Sequence, residues 1–457
     1  MAGIWRRERQ GDIGMQGAAR NRCTKAPAVF RALALLLVGR LILPSPAPAY
    51  SVMAHEAIID TAWLQDIRPL LRKRFPEATG KELMAAHAYA YGGAIIQDMG
   101  YYPHGSHFFS DLTHYVRSGD FILALLRDSR DLNEYAFALG ALAHYAADND
   151  GHRIATNRAV PILYPHLGKK YGDVVTYEQD PLAHLKTEFS FDVLEVAKER
   201  YAPDAYHEFI GFEVSQRLVE QAFCETYGLE LKDILADEGK AFESYRRGVS
   251  KQIPKATRIA WSLKKSEIQK DYPGMTKRKF LYNLSRASYE KNWGKKYQKP
   301  TFGEEFLAFV WRLLPKIGPL KVLEFKTPTP QTEQMFEASF NTTLDRYRAL
   351  LEAAGSGNLE LPNNNFDVGE STGPGKYFMN DDAHAKLLAE LAKNNFAGVS
   401  REVRDELLDF YSQPDAGYST KKNPKEWAKL QAQVQQLKAA SGMNPSVAAQ
   451  GSGPVVF

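Results

Sequence analysis

Cysteine is almost absent from this chain. Of 457 residues only Cys23 and Cys224 carry a thiol, and Cys23 lies in a leader-like segment, so a processed chain would keep Cys224 alone. That excludes an intramolecular disulfide framework. An exported form would need a large core or another staple, and a buried metal cluster is one such staple. Strict alternation of apolar and polar residues is missing too, which argues against a sheet. No internal repeat is visible. The N-terminal apolar run is too short to span a bilayer comfortably, and no other stretch looks transmembrane. The net charge, +4, is small and by itself points to no class of partner.

What the chain does have is helical periodicity. Ala, Leu, Glu and aromatic residues recur at helical spacing over His55–Trp63, Lys81–Tyr91, Phe121–Arg127, Leu132–Ala147 and Glu213–Thr226. The expected fold class is therefore all-α. Gly100–Ser106 and Tyr164–Pro181 read as connecting loops, the second broken by proline. Length allows one large domain or two to three smaller ones.

Residues 1–49 read as a signal peptide. Arg6, Arg7, Arg9, Arg20, Arg22 and Lys25 make a basic region, an apolar run follows from Ala32 to Val38, and Ala47-Pro48-Ala49 is a small-x-small cleavage pattern. Cleavage there makes Tyr50 the first residue and predicts a secreted or periplasmic location. A site-bearing helical domain is expected over 50–250, a basic helical extension over 251–352, a Gly- and Asn-rich linker over 353–376, a C-terminal helical unit over 377–440 and a disordered tail over 441–457. From Arg246 to Pro300 there are 16 Lys and Arg against three acidic residues, with aromatics interleaved. Such a stretch suits a phosphate-rich partner, anionic lipid or nucleic acid. Solvated helix faces give the same pattern and are the preferred reading.

The informative stretch is Gly140 to His152, GALAHYAADNDGH. On a helix His144 and Asp148 stand one above the other, with His152 one turn further on. The same spacing recurs in His184-Leu185-Lys186-Thr187-Glu188. One such pair is as well explained by a helix-stabilising hydrogen bond. Two pairs with an extra imidazole point to a metal cluster, because neutral imidazole and carboxylate are ligands zinc accepts readily.

The order of these motifs resembles that of the zinc-dependent phospholipase C family and of the related fungal-type single-strand nucleases, over roughly Tyr50 to Tyr227. LGALAHYAADNDGHRIATN from Leu139 is similar to the family's His-x-x-x-Asp with a following His and Asn. Asp98 in GGAIIQDMGYYP resembles its early Asp, and Ser106-His107-Phe108-Phe109 its Ser-His-aromatic motif. The resemblance implies a mostly helical domain holding three zinc ions. Asp98, a middle histidine, His144 and Asp148 would hold the first. His152, His184 and Glu188 would hold the second. Asp148, His55 and the freed amino terminus of Tyr50 would hold the third. The middle histidine is His107, preferred on its local motif, or His114, which fits the usual gap. Asp98 is the candidate for orienting or deprotonating the attacking water. The implied activity is phosphodiester hydrolysis, with a phospholipid at a membrane surface as substrate. Single-stranded nucleic acid is the alternative substrate, and a non-catalytic, zinc-stabilised binding protein is the alternative outside enzymes. Tyr101, Tyr102, Phe108 and Phe109 either line a pocket or belong to the core.

Overall fold

The run from Leu132 to Gly151 is rich in alanine and leucine and forms the helix around which the others pack. Asp131 caps it, its side chain accepting from the backbone N–H groups of Asn133 and Glu134. Every residue from Glu134 to Gly151 is buried, so this helix has no solvent face. A computed structural model of the chain describes residues 52–198, 210–254, 324–416 and 423–441, with isolated positions (256, 257, 260, 264, 321 and 322) between. Residues 1–49, where a signal peptide is expected, Tyr50, most of the basic stretch and the tail beyond 441 lie outside the described residues.

The helices that position the site are α1 (Val52–Ala62), α2 (Gly80–Gly93), α3 (His107–Tyr115), α4 (Leu132–Gly151), α5 (Asn157–Leu163), α6 (Pro181–Ala197), α7 (Pro330–Ser356) and α8 (Phe378–Lys393). No strand forms among the described residues; a lone bridge pairs Asn365 with Glu370. The fold is all-α, as the periodicity predicts. No described helix is long and apolar enough to cross a membrane. The expected loop Tyr164–Pro181 contains a short helix, Pro165–Tyr171, which starts on a proline suited to a first turn.

Helix α2 begins at a capping box in which Thr79 and Glu82 satisfy each other's backbone N–H groups. It crosses α4 closely. A Cβ placed on Gly140 would stand 2.1 Å from the carbonyl oxygen of Ala90, so only glycine admits this approach. On another side α4 carries α7, which starts at the Thr329 cap and Pro330 and whose Tyr347 hydroxyl donates to the carbonyl of Leu139 at 2.9 Å. Helix α1 packs against α4, α6 and α7.

Within 353–376, the stretch whose composition suggests a linker, Asn364 to Asp367 run through the interior, with Asn365, Phe366 and Asp367 at 1 %, 0 % and 1 % exposure. The asparagines make this possible, because each amide supplies both a donor and an acceptor for buried backbone groups. Asn363 Oδ1 accepts from the N–H groups of Gly119 and Asp120, and Asn364 Nδ2 donates to Asn149 Oδ1. Ser118 Oγ donates to the Asn364 carbonyl, and the Tyr145 hydroxyl to that of Pro362. Phe366 is the apolar anchor; burying a ring of that size contributes about 2–3 kcal/mol. Helix α8 follows and packs on α3.

Candidate metal centre

His144 and Asp148 meet as their spacing requires, Nε2 to Oδ2 at 3.1 Å. The turn Ile96–Tyr101, at the end of α2, brings Asp98, and α3 brings His114. His114 Nε2 lies 3.4 Å from Asp98 Oδ1 and 3.4 Å from Asp148 Oδ2. On the other side of Asp148, His55 of α1 places its Nε2 3.4 Å from Oδ1. Asp148 thus offers one oxygen to His114 and His144 and the other to His55. Two compact ligand groups result, Asp98–His114–His144 and His55–His144–Asp148, each with its ligand atoms within 4.8 Å of one another. The His55 and His144 rings stack at 4.4 Å between centroids.

A third compact group comprises His152, His184 and Glu188. Glu188 Oε1 stands 2.9 Å from His184 Nδ1 and 3.3 Å from His152 Nε2. Here the structure adds a carboxylate that sequence reasoning missed. Asp367, from the buried asparagine-rich segment, places Oδ1 3.5 Å from His152 Nδ1 and 3.5 Å from His184 Nε2. Its neighbour Phe366 sets its ring 5.2 Å from that of His114 and donates its backbone N–H to the His114 carbonyl. A single apolar ring inside the polar run Asn363–Asp367 was the only sign in the sequence that this stretch is not solvated.

The chemistry of these side chains fits a cation. Both oxygens of Asp98, Asp148 and Glu188 are buried and make no hydrogen bond; neither do Nε2 of His114 and of His144, nor Nδ1 of His184. Leaving several buried carboxylates uncompensated costs several kcal/mol each. The opposite ring nitrogens are occupied: His144 Nδ1 is 3.0 Å from the Ala94 carbonyl, His114 Nδ1 is 2.8 Å from that of Ser110, and His184 Nε2 is 2.7 Å from Asn157 Oδ1. Each of those acceptors takes an N–H, so in the neutral ring the lone pair lies on the inward nitrogen.

The protonation pattern agrees. Burial pushes Glu188 up to about 8, against the pull of His152. Burial also raises Asp98. Burial opposes charge on His114, yet Asp148 and Asp98 outweigh it and raise the imidazole to about 10. Asp148 is held well below the ordinary carboxylate range, despite its burial, by His144 and His152. Burial lowers His55 and His184. With no metal bound, protons on His114 and Glu188 take the place of a cation.

His107, the preferred middle histidine, does not join the cluster. It is exposed at the start of α3, its ring edge-on to Tyr101 at 5.2 Å. His114, seven residues on, is the one that meets the carboxylates. Tyr101, Tyr102 and Phe109 are buried, and Phe109 stacks on Phe223 at 5.4 Å; they belong to the core around the site. His87, outside the expected set, stacks on Trp63 and faces Asp60.

No curated protein and no solved structure matches the chain. Residues 54–235 match the family model described as zinc dependent phospholipase C. That span holds His55, Asp98, His114, His144, Asp148, His152, His184 and Glu188, and leaves out Phe366 and Asp367. Residues 54–235, the segment that builds all three ligand groups, are thus similar to the zinc-dependent phospholipase C family.

Proposed function

We propose that the protein is a zinc-dependent phospholipase C, cleaving the phosphodiester between the glycerol and the head group of a phospholipid. The observation that carries this reading is the set of buried carboxylate oxygens and imidazole lone pairs, without hydrogen bonds, that converge in three adjoining groups. Zinc bound there would lower the pKa of a water and draw charge from the phosphoryl oxygens. Asp98, His114, His144 and Asp148 would hold one ion, His152, His184 and Glu188 a second, and His55 with the shared Asp148 a third. The freed amine of Tyr50 would complete the third position if export removes residues 1–49.

The chain's own groups then have distinct tasks. Asp148, whose Oδ1 faces His55 and Oδ2 faces His114 and His144, would serve two positions. Asp98 Oδ1 faces His114, while Oδ2 is the atom we assign to take the proton of the attacking water. The Ala94, Ser110 and Asn157 acceptors keep the rings in their ligand tautomers. The surrounding core of Tyr101, Phe366 and Tyr145 keeps the local dielectric low, which strengthens every charge interaction inside.

The test is release of a phosphorylated head group from phospholipid vesicles by zinc-reconstituted protein, alongside a His144→Ala variant. Head-group release that the variant lacks supports the reading. Hydrolysis of single-stranded DNA without any action on vesicles would move the substrate to nucleic acid, and zinc binding without either activity would leave a zinc-stabilised binding protein.

A further inference from the structure

The His152 and His184 rings stand nearly perpendicular, 83° apart with centroids at 5.1 Å. Each shows one nitrogen to Glu188 and the other to Asp367, so two imidazoles span two carboxylates. The two carboxylates are not equivalent. Both oxygens of Glu188 make no hydrogen bond. Asp367, by contrast, is held from several directions. Its Oδ2 accepts from the Tyr377 hydroxyl at 2.5 Å and from the Tyr177 N–H at 2.9 Å. Its own N–H donates to Asn365 Oδ1, and its carbonyl accepts from Asn157 Nδ2 at 2.6 Å. The same Asn157 presents Oδ1 to His184 Nε2. Asp367 Oδ1 is left without a hydrogen bond, as is His152 Nδ1, and it stands 3.5 Å from the outer nitrogens of both rings.

We propose that Asp367 is a positioning residue for the second zinc: an outer carboxylate, delivered from beyond the family domain, that fixes the tautomers of His152 and His184. With Asn157 it places the N–H of His152 on Nδ1 and that of His184 on Nε2. The lone pairs then lie on His152 Nε2 and His184 Nδ1, the two atoms that share Glu188 Oε1. An imidazole whose outer N–H is held by a carboxylate is a better-oriented and more basic ligand. Locking the loop through Tyr377 and Tyr177 keeps that oxygen in place without using it up. This inference rests on the zinc reading of the site.

The experiment is zinc titration of the full-length protein against a competing chelator, comparing wild type with Asp367→Asn and Tyr377→Phe. Asparagine keeps the shape and removes the charge. The expected result is a second zinc bound about 10–100-fold more weakly in Asp367→Asn, and a smaller loss in the same direction in Tyr377→Phe. Selective 15N labelling of histidine adds a readout that mere packing would not move: His152 should carry its proton on Nδ1 in wild type and lose that preference in Asp367→Asn. Should Asp367→Asn fail to fold, the Tyr377→Phe titration and the wild-type tautomers still decide. Unchanged zinc affinity in the variants, or a His152 proton on Nε2, overturns the proposal while leaving the zinc site standing. A wild-type chain that takes up no zinc overturns the zinc reading itself.

Discussion

Oδ2 of Asp148 lies 3.1 Å from Nε2 of His144, one helical turn away on the same buried helix, and neither atom makes a hydrogen bond. Two polar atoms that close, without the geometry to satisfy each other, are arranged for a third partner. Replacing His144 by alanine removes a nitrogen common to two of the three ligand groups. The variant should lose at least one bound zinc per chain, measured by elemental analysis, together with all measurable turnover.

The two candidate middle histidines make opposite predictions. His114→Ala should lower zinc content and abolish hydrolysis, since its Nε2 touches Asp98 and Asp148. His107→Ala should leave zinc content at the wild-type value and stability within about 0.5 kcal/mol, as for other exposed side chains. Equal zinc loss in both variants would contradict the geometry.

Zinc uptake should release protons and tighten as pH rises. Glu188, at about 8, and His114, at about 10, both sit above their ordinary values in the metal-free chain, so both hold protons at neutral pH. A cation must displace them, because ligand atoms bind deprotonated. Apparent zinc affinity should therefore increase steadily from about pH 6 to about pH 8, and calorimetry in buffers of different ionisation enthalpy should show proton release. Affinity that is flat across that range would contradict the assignment.

Removal of zinc by a chelator should lower the melting temperature. A ligand that binds only the folded state at a hundred times its dissociation constant stabilises by about 2.7 kcal/mol. The loss should be smaller in His114→Ala, where part of the binding is already gone. Melting curves with and without chelator for both proteins check this.

The contact between α2 and α4 gives a stability prediction. In Gly140→Ala the new methyl would meet the Ala90 carbonyl at 2.1 Å. The helices must part, and the Ala94 carbonyl that holds His144 Nδ1 moves with α2. A cost of about 3 kcal/mol in denaturant unfolding is expected, along with weaker zinc binding.

How much of this was legible depended on how locally each feature is encoded. The pairs His144/Asp148 and His184/Glu188 announce themselves because four residues on a helix is a fixed distance in space. The all-α class followed from periodicity for the same reason. His55 and Asp98 carry no local pattern of their own and were reached only through a resemblance between motif orders. The choice between His107 and His114 failed on a local motif. Seven residues separate them, so they share a helix face but stand two turns apart, about 10 Å, and only one is level with the carboxylates. Asp367 was out of reach, since nothing in an asparagine-rich run tells which amide will face a buried carbonyl. Residues 1–49 and Tyr50 lie outside the described residues, so the proposed third zinc position would rest on His55 and Asp148 beside the shared His144.

The burial of Asp367 against His152 and His184 has a bearing on how the protein is made. Synthesis runs from the amino end, and domains often fold as they emerge. Here the early helices can gather eight candidate ligand side chains while the residue proposed to steady two of them has yet to be translated. On the zinc reading, steady metallation of the second position would then wait for the last third of the polypeptide. A chain stopped short of Asp367 would keep the recognisable sequence signature and release a metalloprotein with one loosely held ion.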